Sequence, residues 1–447
     1  MSTDPNSFSE GDVNFGLNRS DWQKNIKDDE TNMLLERDAA VFLHQTLSTP
    51  CLDVLASCEG ATIRTINHRE ILDFHGNYVH TIGYSHPSVV SAITKQLGSL
   101  SFSVRRYTNE PAIQLAEKLT SLTSGLTRVL FAPGGAEAIG IALKAARLFT
   151  GRHKTISMWD SFHGATIEAS SIGGEAVFRK DIGPLMSGCE HVPPPNPSEC
   201  LFKCGSCNSK CADYIEYVLE KEGDIAAVVA ETVRTVPYIP HKDYWVKVKK
   251  ACERHGALLI LDEIPTALGR TGKWFAFEHF GIEPDMVVIG KALGGGIFPL
   301  AAVLARNEIN EGVKSRAIGH YTHEKNPVAA AAALAMIDVI EKDQLLDHVV
   351  RLESVVKEIL IPLKNEYPVI HDIRVIGLLI GIELRDVQDG NKCIDQAERI
   401  MYLCMKHGLS FKITMGSTIN LVPPINISES ELRRGLAILT NAIETIL

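Results

Sequence analysis

The sequence is poor in the features that mark membrane, secreted and nucleic-acid-binding proteins. No apolar run approaches the roughly 18 residues that suggest a membrane-spanning helix. The first residues, MSTDPNSFSEGDVNFG, lack the basic start and the apolar core of a secretory signal, so we expect a cytoplasmic protein. The formal net charge of −9 argues against a nucleic acid or an anionic membrane as partner.

Cysteine is also scarce, at 10 in 447 residues, which argues against a disulfide framework and predicts mostly reduced thiols. Four cysteines nevertheless lie close together in the sequence, at Cys200, Cys204, Cys207 and Cys211. Four thiolates at such spacing could hold a tetrahedral zinc ion. The alternative is a reduced, cysteine-rich loop, which the lack of a second, well-separated CxxC pair favours. We therefore expect no metal and keep zinc as the weaker alternative.

From about residue 105 the chain alternates short apolar runs with longer helix-like segments. The apolar runs predict strands at 128–132, 155–159, 226–230, 258–261, 286–289 and 300–304. Helices are predicted between several of them, at 136–149, 211–222 and 244–255. Continuously apolar strands that alternate with helices predict a mainly parallel α/β sheet with both faces covered.

The two ends of the chain have a different character. Residues 1 to about 30 predict a mobile arm or a short helix, and a hairpin is predicted from strands at 62–67 and 70–74. After about residue 330 the sequence predicts long helices at 329–341 and 345–367. Strands at 375–384 and 418–422 and a closing helix from Glu429 follow. This pattern is typical of a smaller α+β domain.

The first chemical signal is a pair of carboxylates, Asp262 and Glu263, at the end of the apolar run LLIL. In an α/β sheet, ligands bind beyond the carboxyl ends of the strands. A carboxylate in that position can keep a heterocyclic nitrogen protonated, because a nearby negative charge favours the charged form of the ring. A helix cap or an ion pair would explain the same two residues, so this signal needs a second one beside it.

Lys291 supplies that second signal, because it closes the apolar run MVVIG and opens the glycine-rich segment ALGGG. Glycine lets the backbone come close to a bulky ligand. An amine that is partly removed from water is more often neutral, and a neutral amine can attack a carbonyl group. A surface lysine at a strand end is the alternative, but a strand-end Asp together with a strand-end Lys is much more specific than either alone.

Two further segments add weaker signals. Gly134 and Gly135 form a turn between a strand and a helix that starts at Ala136, and the N–H groups of a helix N-terminus suit a phosphate. Phe162 and His163 follow another strand, where an aromatic ring can stack on a planar cofactor. Glycine turns before helices are common, and a phenylalanine after a strand more often belongs to the core.

Together these segments resemble the class III, ornithine-type aminotransferases, which are pyridoxal 5'-phosphate (PLP) enzymes of fold type I. The resemblance runs from about residue 30 to the end, and its most specific part is LILDEIPTALGRTGKWFAFEHFGIEPDMVVIGKALGGG. It implies a large domain with a mainly parallel seven-stranded sheet flanked by helices, and a smaller α+β domain. The implied boundaries are 71–330 for the large PLP-binding domain, with 1–70 and 331–447 in the smaller one.

The resemblance also implies roles for individual residues. Lys291 matches the lysine that forms the Schiff base with PLP, Asp262 the partner of the pyridine nitrogen, and Glu231 the family's active-site glutamate. The remaining cofactor-binding residues that we expect are Gly134, Gly135, Ala136, Phe162 and His163. Thr322 matches the threonine that reaches the phosphate of the neighbouring subunit's PLP, which implies a homodimer with its active sites at the interface.

Three departures from the family pattern point to the reaction. The usual Asp-Glu-Val-Gln ends at Pro265 instead of Gln, and the usual Thr-Phe-Gly-Gly-Asn-Pro is THEKNP here. The C-terminal Arg-x-x-Pro-Pro pattern begins with Asn420. The missing arginine normally clamps a substrate carboxylate with two hydrogen bonds, and asparagine has neither its charge nor its fork. Because a transaminase needs such a clamp for its keto-acid co-substrate, the loss favours another reaction.

With these departures, the sequence most resembles the (R)-1-hydroxy-2-aminoethylphosphonate ammonia-lyase branch of the family. That resemblance implies elimination of a β-hydroxyl to give phosphonoacetaldehyde and ammonia, in phosphonate catabolism. The alternatives are an ω-amine:2-oxo acid transaminase and a non-catalytic protein, and the presence of both Asp262 and Lys291 argues against the latter. The candidate substrate-binding residues are Tyr78, Arg105, Arg106, Arg234 and Lys412. Each arginine could equally be an ordinary surface or ion-pair residue, which is the commoner case.

Overall fold

The structure is a computed structural model that describes residues 16–45, 48–204 and 207–447. The chain divides into a terminal unit, residues 1–86 with 347–447, and a central unit, residues 87–346. The predicted boundaries at 70/71 and 330/331 therefore differ from the observed ones. The strand Glu70–Asp73 pairs with Thr62–Thr65 and Leu409–Ser410, which keeps it in the terminal unit. The helix Pro327–Lys342 packs on earlier helices of the central unit, which keeps residues 331–346 there.

The described residues form helices and strands that we number in chain order. The helices are α1 (Leu17–Ile26), α2 (Asp29–Val41), α3 (Pro87–Leu97), α4 (Glu110–Ser121), α5 (Gly135–Thr150), α6 (Ile167–Ile172), α7 (Lys210–Glu222), α8 (Tyr244–His255), α9 (Asn307–Gly312), α10 (Pro327–Lys342), α11 (Leu345–Leu360), α12 (Leu363–Glu366), α13 (Ile394–Lys406) and α14 (Glu429–Ile446). The strands are β1 (Leu55–Glu59), β2 (Thr62–Thr65), β3 (Glu70–Asp73), β4 (Arg128–Ala132), β5 (Lys154–Met158), β6 (Cys189–Val192), β7 (Ile225–Glu231), β8 (Leu258–Asp262), β9 (Met286–Ile289), β10 (Ala301–Ala305), β11 (Ile370–Ile376), β12 (Leu379–Leu384), β13 (Leu409–Ser410), β14 (Lys412–Thr414) and β15 (Thr418–Leu421).

The central unit is built on a seven-stranded sheet with the order β4-β10-β9-β8-β7-β5-β6. Only β10 runs antiparallel to its neighbours, so the predicted mainly parallel sheet is confirmed. Every residue of β7, β8 and β9 is buried, because helices cover both faces of such a sheet. The register between β7 and β8 sets Glu231 opposite Asp262, so two carboxylates end neighbouring strands at one edge.

The terminal unit contains two smaller sheets, with the orders β1-β2-β3-β13 and β11-β12-β15-β14. The predicted hairpin of β2 and β3 is present. In the second sheet, Asn420 on β15 lies opposite Gly381 on β12 and Lys412 on β14. None of the helices in the described ranges has the length and apolar character needed to cross a membrane.

Several predicted elements were wrong in extent. The single helix predicted at 345–367 is two helices, α11 and α12, because Pro362 cannot donate a backbone hydrogen bond and interrupts the first one. The single strand predicted at 375–384 is part of a hairpin of β11 and β12 that turns at Gly377, whose φ is +55°. The sequence did not predict β1 or β6. The predicted N-terminal arm lies largely outside the described residues, apart from α1.

Glu263 fixes the end of β8 next to Asp262. Its side chain is fully buried and accepts hydrogen bonds from the Thr232 hydroxyl at 2.7 Å and from the N–H groups of Ala276 and Phe277 at 2.7 and 2.8 Å. Burial raises the pKa of Glu263 to about 7, and these three hydrogen bonds oppose the rise. The carboxyl group therefore ties two neighbouring strand ends to the segment after residue 275.

Replacing Glu263 with glutamine should lower the free energy of unfolding by about 2–3 kcal/mol at pH 5, because the new NH2 group faces buried donors. The difference should shrink at higher pH. The folded pKa of Glu263 lies above its ordinary 4.5, so its stabilisation is complete below pH 4.5 and is lost as pH rises through about 7. Urea unfolding at pH 5 and pH 8 measures both effects. Glu117→Gln, at an exposed position of α4, is the control, and an equal loss at both pH values would contradict the assignment.

Candidate active site

The carboxyl ends of β7, β8 and β9 open into a cavity of about 210 Å³ within the central unit. Its lining includes most of the residues that the sequence predicted for cofactor and catalysis. These residues are Gly135, Ala136, Phe162, His163, Glu231, Asp262 and Lys291, and Arg234, a predicted substrate-binding residue, lines the cavity with them. Residues far apart in the chain thus meet at one edge of the sheet, as expected for ligand sites in α/β proteins.

Asp262 lies at the floor of this cavity and is almost completely buried. One carboxylate oxygen accepts from Nδ1 of His163 at 2.8 Å, and the other accepts from the N–H of Ile264 at 3.0 Å. The far side of the His163 ring lies 3.4 Å from the Ser157 hydroxyl. The carboxylate is therefore held in one orientation by groups behind it, and it can present its charge to a ligand in the cavity.

Lys291 follows β9 and begins a short 3-10 turn, Lys291–Gly294. Its φ is +44°, in the left-handed region that residues with a side chain rarely adopt. Such backbone strain persists where surrounding structure enforces it, often at functional sites. Here the unusual turn brings the half-buried amine to the cavity that Asp262 and Glu231 line, and its positive charge acts on Glu231.

The predicted phosphate turn forms the beginning of α5. Gly134 precedes the first helical residue, and the first helical hydrogen bond runs from Ala138 to the Gly134 carbonyl, so the N–H groups of residues 135–137 precede it. Gly164 faces this turn with a φ of +130°, and a Cβ there would come within 2.6 Å of the Cβ of Ala136. The helix start thus combines exposed N–H groups with a tight backbone approach, which suits an anion.

Glu231 and Arg234, which line the cavity, form a buried network with Glu175, and the three side chains have exposures of 7%, 9% and 8%. Arg234 donates to Glu231 at 3.3 Å, to the Thr235 hydroxyl at 3.1 Å and, in a shorter contact, to Glu175. Burial and the negative charge of Asp262 raise the pKa of Glu231 well above its usual range. The charge of Lys291 and the N–H of Phe162, 3.4 Å away, act in the opposite direction.

Glu175 is a residue that the sequence analysis missed. It follows a Gly-Gly pair, and a Cβ at Gly174 would lie 2.3 Å from the Met158 carbonyl oxygen, so no side chain fits there. The glycine pair lets the backbone cross the end of β5 closely enough for Glu175 to reach Arg234. The glycine pair was visible in the sequence as a sign of close backbone packing, but it does not indicate which residue Glu175 contacts.

Six residues predicted from the sequence are not part of the cavity lining. Gly134 precedes the lining residue Gly135 at the start of α5. Thr322 is exposed on a turn. Its predicted partner, the PLP phosphate of the neighbouring subunit, belongs to a second chain. Arg106 is exposed, and Arg105 lies 2.6 Å from Nε2 of His320. Of the arginines of the central unit that were predicted to bind substrate, Arg234 alone lines the candidate cavity in the described part of the chain.

The other two candidates, Tyr78 and Lys412, belong to the terminal unit, where they surround Asn420. The Tyr78 hydroxyl donates to Oδ1 of Asn420 at 2.5 Å, and Nδ2 of Asn420 donates to the Ile380 carbonyl at 3.3 Å. Asn420 is fully buried, and Lys412 lies opposite it on the next strand. Both the oxygen and the nitrogen of the amide form hydrogen bonds within the terminal unit. Asn420 therefore links neighbouring parts of this unit and carries no charge.

The four clustered cysteines line a separate cavity of about 240 Å³ together with His241 and Tyr244. Burial raises the pKa of Cys211 to about 11, whereas hydrogen bonding from the N–H of Cys204 lowers the pKa of Cys200. Among the residues that the structure describes, no group of three or more His, Cys, Asp or Glu is arranged to hold a metal ion. The zinc alternative therefore gains no support, and all ten cysteines are unpaired thiols.

The residues of the candidate cavity fit PLP in their chemistry. Asp262 offers an anionic side chain for a ring nitrogen, and Lys291 offers an amine for an aldehyde. The turn at Gly135 offers a helix start for a phosphate. Phe162 adds an aromatic ring, which packs on Phe178 at 4.5 Å between centroids. The combination of acid, amine and anion site in one cavity is far more specific than a general ligand pocket.

Comparison with known proteins agrees with this chemistry. The sequence model of the aminotransferase class-III family matches residues 46–443. The (R)-1-hydroxy-2-aminoethylphosphonate ammonia-lyase of Vibrio splendidus is 46% identical, over 98% of this chain and 95% of that protein. The leucine/methionine racemase of Thermococcus litoralis is 34% identical, over 92% and 95%. The PLP-bound amine transaminase of an uncultivated Pseudomonas species superposes with a TM-score of 0.84 at 28% identity, over 91% and 99%.

Proposed function

Because the chain belongs to the class III aminotransferase family, we propose that it is a PLP-dependent ammonia-lyase acting on (R)-1-hydroxy-2-aminoethylphosphonate. The products are phosphonoacetaldehyde and ammonia. The identity to the Vibrio lyase supports this substrate. The observation that carries the choice of reaction is Asn420, because the uncharged amide at the family's clamp position is sealed between Tyr78 and Ile380.

PLP would be held by Lys291, by Asp262 at its ring nitrogen and by the start of α5 at its phosphate. When bound, it supplies an electron sink for the carbon that carries the substrate's nitrogen. Asp262, oriented by His163, keeps a proton on the ring nitrogen and so strengthens that sink. Lys291 then removes a proton from this same carbon as a general base.

The hydroxyl on the neighbouring carbon leaves once that proton is gone. The organic product is a free enamine, which tautomerises and reacts with water to give the aldehyde and ammonia. A transaminase would instead return a proton and pass the amino group to a keto acid. That second outcome needs a cation for the co-substrate carboxylate, and position 420 offers none.

We infer that Arg234 is the cation that binds the phosphonate, because it lines the candidate cavity whereas Arg105 and Arg106 do not. Its guanidinium already donates hydrogen bonds to Glu175 and Thr235, so a bound phosphonate takes the place of one of these acceptors. A planar fork matches three phosphonate oxygens better than a point charge does. Tyr78 and Lys412 remain candidate substrate residues.

Arg234→Lys keeps the positive charge between two glutamates but removes the fork. We expect the KM for the aminophosphonate to rise about tenfold, as loss of one charge-assisted hydrogen bond predicts. The kcat should change less, because Lys291 and Asp262 are untouched. Arg106→Lys, at an exposed position, is the matched control. A normal KM in the Arg234 variant together with a raised KM in the Arg106 variant would move the phosphonate to Arg106.

Single-substrate turnover tests the proposed function. PLP-loaded protein is mixed with (R)-1-hydroxy-2-aminoethylphosphonate without any keto acid, and ammonia and aldehyde are followed. Catalytic release of both establishes the lyase. Turnover only after addition of pyruvate or 2-oxoglutarate would instead identify an ω-amine:2-oxo acid transaminase. A homodimer, the contact of Thr322 with the partner's cofactor and a cytoplasmic location stay predictions that accompany this proposal.

A further inference from the structure

Glu231 lines the candidate cavity but has no part in the steps given above. Charged groups face it from each element around it. Asp262 ends the adjacent strand, and the amine charge of Lys291 acts on Glu231. Arg234, three residues later in the chain, forms an ion pair with Glu231. Glu175 shares the same arginine from the other side.

The proposed elimination requires a proton donor. Hydroxide is a poor leaving group, and a positioned acid that protonates it as it departs accelerates such a step by about 10²–10⁴. We propose that Glu231 is this general acid and gives its proton to the β-hydroxyl of the aminophosphonate. The inference rests on the proposed function and deepens it by one catalytic residue.

The charges of the network explain why Glu231 holds a proton. Glu231 and Glu175 share a single guanidinium, and all three side chains are nearly buried. A buried carboxylate without a cation of its own is costly, so one of the two keeps its proton. Both glutamates contact Arg234, but Glu231 also lies opposite the Asp262 carboxylate on the adjacent strand, so we assign the proton to Glu231. A bound phosphonate would add further negative charge and favour the proton on Glu231 still more.

The position of the donor follows from the substrate. The phosphonate and the hydroxyl of this compound are attached to the same carbon. If Arg234 binds the phosphonate, the hydroxyl must lie within a few bond lengths of that guanidinium. The Glu231 carboxyl group is 3.3 Å from Arg234 and lines the same cavity as Lys291, the proposed base. One side chain can therefore supply a proton while the other removes one.

The step balances without an added oxidant or reductant. Lys291 takes the proton, and the electron pair of the C–H bond ends in a new carbon–carbon double bond. The carbon–oxygen bond breaks with its electron pair on oxygen, and the Glu231 proton turns the departing hydroxide into water. The proton on Lys291 then returns to Glu231 within the cavity, which restores both groups for the next turnover.

The test compares leaving groups in the PLP-loaded enzyme. Chloride leaves without a proton, so (1-chloro-2-aminoethyl)phosphonate bypasses the acid whereas the hydroxyl compound needs it. In Glu231→Gln we expect kcat to fall about 10²–10⁴-fold with the hydroxyl compound and to stay within about threefold with the chloro compound. Deuterium exchange from D2O into 2-aminoethylphosphonate, which has no leaving group, should persist and reports the action of Lys291.

Glu175→Gln leaves Arg234 to pair with Glu231 alone, so the ratio of hydroxyl to chloro turnover should fall partway toward that of Glu231→Gln. The matched control is Glu117→Gln, at an exposed position of α4, which should leave this ratio at the wild-type value. In the wild type, kcat for the hydroxyl compound should fall as pH rises through the raised pKa of Glu231, and this alkaline loss should vanish with the chloro compound.

The outcomes separate two kinds of failure. A wild-type protein that releases no ammonia from the hydroxyl compound overturns the proposed function, and this inference with it. A wild-type lyase whose Glu231→Gln variant retains hydroxyl turnover overturns the inference alone, and leaves Lys291 as both base and acid. Equal losses with both leaving groups and in deuterium exchange would show that Glu231 only supports the site, which also overturns the inference.

Discussion

Replacing Lys291 with alanine is expected to lower kcat with the aminophosphonate by at least about 10⁴-fold. The amine at this position is the proposed base and the proposed covalent partner of PLP, and no other lysine lines the cavity in the described ranges. The variant should also lose the absorbance band of lysine-linked cofactor. Steady-state ammonia release and an absorbance spectrum of the desalted protein measure the two effects.

The matched control for this variant is Lys144→Ala, on the exposed face of α5 in the same unit. It removes the same side chain and should leave both spectrum and turnover unchanged. Added methylamine should restore a measurable part of the Lys291→Ala activity, because a small amine can act as base in the space left by the side chain. Full activity without any added amine would disprove the assignment of Lys291.

The core strands of the fold could be predicted from the sequence because their signal is local. Every residue of β7, β8 and β9 is buried, and each strand is an uninterrupted apolar run apart from the last residues of β7 and β8, Glu231 and Asp262. The strand β6 (Cys189–Val192) was missed because it lies at the sheet edge and carries Glu190 and His191. Such a half-polar edge strand has no distinctive pattern.

The candidate site was predictable to the extent that it consists of strand ends. Asp262, Glu231 and Lys291 each follow an apolar run, and resemblance to the family supplied their roles. The partner of Arg234 could not be predicted, since Glu175 lies 59 residues away in the sequence and meets it only through the fold. The same is true of Asn420, whose missing charge was visible in the sequence but whose tie to Tyr78 was not.

Asp262→Asn should lower kcat about 10³-fold while PLP stays bound. The amide keeps nearly the shape of the carboxylate but has no charge to hold a proton on the ring nitrogen, so the electron sink weakens. Lys291 and the start of α5 are unchanged, and the cofactor should therefore survive desalting. Asp213→Asn, on the surface of α7 where the aspartate pairs with Lys247, removes a charge without a catalytic effect.

His163 allows a sharper version of this experiment. It contacts Asp262 at 2.8 Å, and we expect its effect on the reaction to pass through that carboxylate, so His163→Ala should reduce kcat less than Asp262→Asn does. In the double variant the loss should equal that of Asp262→Asn alone, because the histidine has no remaining charge to orient. Strictly additive losses would mean that His163 contacts the cofactor independently. An Asp262→Asn enzyme as active as the wild type would show that elimination needs Lys291 but no protonated ring nitrogen.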